Sequence, residues 1–167
     1  GSEWRRAMLN CRNLKLTPTD FGRARIYWHE ACLGLVQQAH ARGEGNGAFV
    51  AVLDLGGMES MGMREALAGY PFIKASIMAI ALHYSGAMRR VYVARPPRTF
   101  FMLWNMLKPF LAPTTLQKVK VLPCRAAQRL EDYPSDDPLC TVQASALPPE
   151  LGGTADASQG TRLYWEG

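Results

Sequence analysis

The chain has 167 residues, 48% apolar and 20% charged, which suits one globular domain and excludes disordered and collagen-like classes. Nineteen basic against 14 acidic residues leave a net charge of +5, compatible with an anionic partner such as nucleic acid, a phosphoinositide or a membrane surface. No run of 18 consecutive apolar residues occurs, so any membrane contact is expected to be peripheral.

Gly1-Ser2 reads as the scar of a removed expression tag, residues 1–16 as a remnant ahead of the domain, and 17–167 as one lobe. Cys11, Cys32, Cys124 and Cys140 contain no C-x-x-C pair, and no signal-peptide pattern opens the chain. Reduced thiols in a cytoplasmic protein are therefore expected. Thr17-Pro18-Thr19-Asp20 marks a helix start, with a capping Thr, Pro at the first turn and an acid three residues after the cap. Phe21, Ala24, Trp28, Ala31, Cys32, Leu35 and Ala39 form one stripe of that helix, which runs to about Gly43.

Residues 48–55 form a short apolar run, the pattern of a strand covered on both faces and hence of a parallel sheet. After Gly56-Gly57, residues 63–68 predict a brief helix, and Pro71 predicts the start of another over 72–84, apolar on almost every side. Residues 90–95 and 118–122 read as further strands, 124–133 as a helix, and 134–149 as a polar, proline-rich surface excursion. Alternating strands and helices give an α/β layered domain.

The most informative segment lies between Pro96-Pro97 and Pro113. Nine of the twelve residues from Phe100 to Leu111 are Phe, Trp, Leu or Met. At about 1.5 Å per residue they span ~18 Å, short of a ~30 Å bilayer core. Phe100, Leu103, Trp104, Leu107 and Leu111 share one helical face; Phe101, Met102 and Met106 lie opposite, beside Asn105 and Lys108. Two readings stand open here: a core helix between layers, or a lid closing a cavity with its outer face on lipid or a partner groove.

These motifs, in this order, resemble the CRAL-TRIO (Sec-fourteen-like) lipid-binding family. Val52-Leu53-Asp54-Leu55-Gly56-Gly57 is similar to its strand ending in hydrophobic-Asp-hydrophobic. Tyr84 to Val93 stands where the family has a Tyr-Pro-Glu-Arg turn and strand. Lys108-Pro109-Phe110-Leu111 with Thr115, Lys118 and Val119 is similar to Lys-Pro-Phe-Leu-x-x-x-Thr-x-x-Lys-Ile, and Leu147-Pro148-Pro149-Glu150-Leu151-Gly152-Gly153 to the family's closing motif. The resemblance covers about residues 17–165. It implies an open, mostly parallel sheet flanked by helices, with a gated hydrophobic pocket under residues 99–111. The pocket residues it implies are Phe49, Ala51, Leu53, Phe72, Ser76, Ala79, His83, Tyr92, Phe100, Leu103, Trp104 and Leu107, and the membrane-facing gate residues are Phe101, Met102, Met106 and Lys108.

Gly86 replaces the Glu, and Gln128 the Lys, that bind the inositol headgroup in the phosphatidylinositol-transferring branch. Phe49 and Ala51 replace floor-strand hydroxyls of the phosphatidylcholine-binding members. The resemblance thus implies a ligand less polar than those phospholipids, or another headgroup site.

Other chemistries find little support. Cys124 and Arg129 have C-x4-R spacing where a cysteine phosphatase loop needs C-x5-R. His29 and Cys32 share a helical turn without a second ligand pair, so no metal is expected. His83 fits a helix end, and Ser76 and His83 could offer a ligand polar contacts. No phosphate-binding loop precedes Asp54-Leu55-Gly56-Gly57, and the Arg23, Arg25 and Arg89-Arg90 pairs read as solvated faces, not a nucleic-acid footprint. No catalytic constellation stands out. The expected function is non-enzymatic binding, and transfer between membranes, of a lipid or other lipophile, with no other cofactor. A protein-interaction scaffold, docking a small GTPase or its regulator over a vestigial pocket, is the alternative.

Overall fold

The computed structural model describes residues 13–44, 47–84, 86–133 and 141–156. Residues 1–12 with the scar and Cys11, 45–46, Ser85, Cys140 with the 134–140 part of the excursion, and 157–167 lie outside the described residues. Helix α1, Pro18–Ala41, opens on a full capping box: Thr17 Oγ1 accepts from the Asp20 amide at 3.2 Å, and the Thr17 amide donates to Asp20 Oδ2 at 2.9 Å. Its covered stripe is rotated from the expected one. Gly22 and His29 are buried, while Ala24, Ala31 and Leu35 are exposed.

Strand β1, Phe49–Asp54, leads to helix α2, Met63–His83, one continuous helix where two were expected. Glu65 caps its start by accepting from the Gly62 amide at 3.0 Å. Pro71 sits inside it and denies the Leu67 carbonyl its helical donor. Both residues are exposed, so water can serve that carbonyl, while the buried Ala66, Gly69 and Ser76 hold the helix on its packed side. By length and composition α2 could cross a membrane. Here it is a layer helix, packed on α1 and on α3, Arg98–Leu107. Gly22 of α1 faces Ala75 of α2, where a Cβ would stand in ordinary contact, 3.5 Å from the Ala75 carbonyl oxygen.

Strands β2, Met88–Ala94, and β3, Val119–Val121, complete a parallel sheet of order β1-β2-β3 among the described residues. After α3 come a 3₁₀ turn, Lys108–Phe110, and a short helix α4, Pro113–Lys118, whose Lys118 Nζ donates to the Met88 carbonyl at 2.9 Å. The expected helix over 124–133 is instead irregular chain with one 3₁₀ turn, Leu130–Asp132. Its backbone is pinned from outside. Gln128 donates through its amide to the Glu150 carbonyl (3.0 Å) and through Nε2 to the Pro123 carbonyl (3.0 Å). Gly152, at φ +84°, lies so close that a Cβ would stand 2.5 Å from the Leu130 nitrogen.

Period-two alternation divides the sheet's side chains between two layers. Tyr92 and Ala94 face Leu122, Tyr133, Leu147 and Leu151, all buried, with Tyr133 edge-on to Tyr92 at 5.3 Å. Leu147 thus brings part of the expected surface excursion into the core. Helices α1, α2 and α3 roof the other face.

Candidate functional site

Between that second face and the helices lies an apolar cavity of about 360 Å³. Ala51, Leu53, Val91 and Val93, alternate residues of β1 and β2, form the floor, and Val52 also borders it. Phe21, Trp28 and His29 of α1, Ile73, Ser76, Ile77 and Ile80 of α2, and Phe100, Leu103, Trp104 and Leu107 of α3 close it. The volume sits near the lower end of the roughly 300–1,000 Å³ range of small-molecule pockets.

Seven of the residues expected on the pocket are on its wall: Ala51, Leu53, Ser76, Phe100, Leu103, Trp104 and Leu107. Five are not. Tyr92 has the opposite strand parity from Val91 and Val93 and is buried in the other layer. Phe49 shares the parity of Ala51, but a register shift falls between Phe49 and Val50, and its ring meets His29 at 6.3 Å. Phe72 packs edge-on against Phe21 at 6.0 Å, between α1 and α2. Ala79 and His83 fall off the wall because α2 presents 73, 76, 77 and 80 instead of 72, 76, 79 and 83. The two stripes share only Ser76, and His83 is exposed.

Helix α3 is two-sided. Phe100 stacks on Trp104 at 6.0 Å, and both line the cavity, with Leu103 and Leu107 buried beside them. Outward, Phe101 is 43% and Met106 38% exposed, with Lys108 also exposed. Met102, expected on this outer face, instead packs half-buried against the cluster of Met61, Ala66 and Leu103, where α3 meets the start of α2. Phe110, 49% exposed, joins the outer face, with Lys74 Nζ 3.3 Å from its ring centroid. Tyr70 Oη donates to the Met106 carbonyl at 3.1 Å and ties α2 to α3.

The α1 wall was missed in the sequence. Its signal was the adjacent Trp28 and His29 pair on the helix's covered side. Arg25 also lines the cavity, half-buried, with its guanidinium 4.8 Å from the Trp28 ring centroid, so it is not the solvated side chain expected. At the rim, Arg95 follows β2 at φ +50° and pairs with Asp54 at the end of β1. Arg95 Nε donates to Asp54 Oδ1 at 2.8 Å, and the Gly56 amide donates to the same oxygen at 2.8 Å. Burial pushes the Asp54 carboxyl up, but these hydrogen bonds and the Arg95 charge outweigh it and hold it below the usual value. Of the two residues expected from the resemblance to stand at headgroup positions, Gly86 is exposed and Gln128 is buried, bonded to Pro123 as above.

A family model described as the CRAL/TRIO domain matches residues 5–153, most of the chain, and the chain belongs to that family. Its mixed α/β layers and open parallel sheet are those of the family. Such domains bind lipophilic small molecules and are generally not enzymes.

Proposed function

We propose that this CRAL/TRIO domain carries a lipophilic small molecule in the cavity and exchanges it at a membrane surface by swinging α3 aside. The observation that carries the reading is one helix with two apolar faces, Phe100, Leu103, Trp104 and Leu107 over a void and Phe101 and Met106 in water. A filled void would gain roughly 25 cal/mol for each Å² of apolar surface withdrawn from water. When α3 leaves the cavity, a bilayer offers both its faces an environment of matching polarity, so opening there costs less than in water. Lys108 and Lys74 beside the outer face add attraction to anionic headgroups, about 1 kcal/mol per cation near the surface. The setting this implies is a cytoplasmic protein in peripheral contact with membranes.

Organic-solvent extraction of the purified protein followed by mass spectrometry should return one lipophile per chain. Its absence would turn the α3 region into a docking surface for a protein partner. Phe101→Glu, on the exposed face, should slow transfer between vesicles by more than about tenfold, the factor that about 1.4 kcal/mol carries. Its thermal midpoint should not move. Unchanged transfer would remove α3 as the gate.

A further inference from the structure

With the cavity as the lipophile site proposed above, the polar atoms of its wall narrow what it takes. A hydrocarbon wall sets how much of a ligand is buried; the few polar atoms in it set which ligand and which way round. Three polar side chains of the wall are buried: His29, Ser76 and Thr115.

His29, 3% exposed, is the best defined. Its Nδ1 lies 2.9 Å from the Arg25 carbonyl oxygen. A carbonyl can only accept, so Nδ1 carries the proton and Nε2 is the ring's lone-pair acceptor. Burial disfavours the imidazolium more than the Arg25 carbonyl favours it, and the Arg25 charge acts with burial, so the ring is kept neutral. Trp28 at 4.8 Å, Tyr84 at 5.2 Å and Phe49 at 6.3 Å surround the ring and fix its plane. Phe49 opens β1 and pairs with Met88, the first residue of β2, so His29 marks the cavity end at the strands' N-termini. Thr115 comes to the same end. It stands one helical turn before Val119, and Lys118 of the same helix reaches the Met88 carbonyl.

We infer that His29 Nε2, aided by the Thr115 hydroxyl, is a hydrogen-bond anchor that selects a neutral lipophile ending in a hydroxyl group, an alcohol or a phenol, seated polar end first. A lone pair held in an apolar wall rewards an O–H donor. An ether or ester end would bring lone pairs against a lone pair, and a carboxylate would bring a charge that burial penalises.

The test is calorimetric titration of the unaltered protein with decanol, decyl methyl ether and decanoate. Decanol should bind about tenfold tighter than the ether, the upper end of what one net hydrogen bond gives. His29→Phe, which keeps a ring among Trp28, Phe49 and Tyr84, should bring decanol to the ether's affinity. Equal affinities in the unaltered protein would overturn the anchor and leave the lipophile pocket standing. Tightest binding of decanoate would overturn it in favour of Arg25 as the anchor. Failure of all three to bind would remove the pocket reading and the anchor together. Should His29→Phe not fold, the nitrogen NMR shift of His29 Nε2 decides: it should move with decanol and not with the ether, and the reverse would overturn the anchor.

Discussion

Along β2, consecutive residues meet opposite surroundings. Tyr92 and Ala94 are wholly buried against Leu122, Tyr133, Leu147 and Leu151, while Val91 and Val93 look into an open cavity. The filled layer is made of chain that lies flat on the sheet, drawn in where Gly152 and Gly153 allow backbone to touch backbone. A Cβ at Gly153 would stand 1.9 Å from the Leu147 carbonyl oxygen. The open layer is roofed by whole helices over a floor of Ala51, Leu53, Val91 and Val93. One face therefore supplies rigidity and the other supplies room, and a substitution should report which face it is on.

The sharpest contrast is expected at Tyr92. Tyr92→Ala removes a fully buried ring from a close-packed layer and should cost about 3–5 kcal/mol in chemical denaturation. A cost below about 1 kcal/mol would mean the layer is not packed as described. Added volume should separate the faces next. Ala94→Leu has nowhere to go and should cost about 1–3 kcal/mol, whereas Ala51→Leu enters the cavity and should change stability by no more than about 0.5 kcal/mol. Ala51→Leu should also weaken binding of any ligand that fills the cavity, read by the same titration. Equal costs at the two alanines would break the comparison.

The sequence made the two-sidedness of α3 legible because four large apolar residues, Phe100, Leu103, Trp104 and Leu107, share one helical face and few polar residues interrupt the other. Local patterns of this kind survive without knowledge of neighbours. The wall of α2 was not legible in the same way. That helix is apolar nearly all round, so its pattern cannot tell which stripe meets the void, and the stripe through Ile73, Ile77 and Ile80 lies roughly a quarter turn from the one through Phe72 and His83. Tyr92 failed for a related reason: a strand covered on both sides has no polar alternation to fix its parity. Pro71 misled because a helix start and a tolerated interior proline look alike in sequence; exposure of Leu67 and Pro71 separates them only in the fold. The irregular chain over 124–133 depends on Gly152, more than twenty residues on. No local signal carries that contact.

The smallest effect is expected at the rim, where the two layers meet the chain entering α3. Arg95 is held at φ +50°, a region that side chains other than glycine enter at a cost and keep only when their surroundings compel it. Asp54 supplies that compulsion, receiving Arg95 Nε and the Gly56 amide. Its carboxyl is held below its ordinary value of 3.8 in the fold, so the unfolded chain takes up the proton more readily. The pair's contribution is thus full above that ordinary value and lost as pH falls through the lower, folded value. Asp54 keeps 34% side-chain exposure and solvent screens the pair, so the contribution should be under about 1 kcal/mol. Denaturation of the parent and of Asp54→Asn between about pH 5 and pH 2 isolates it from the other carboxylates, which titrate in both proteins. The parent should lose more stability over that interval, and added salt should shrink the difference. Parallel curves would mean that Arg95 is held in place by the buried Pro96 and Pro97 that follow it, and that the junction between sheet and α3 is set by packing alone.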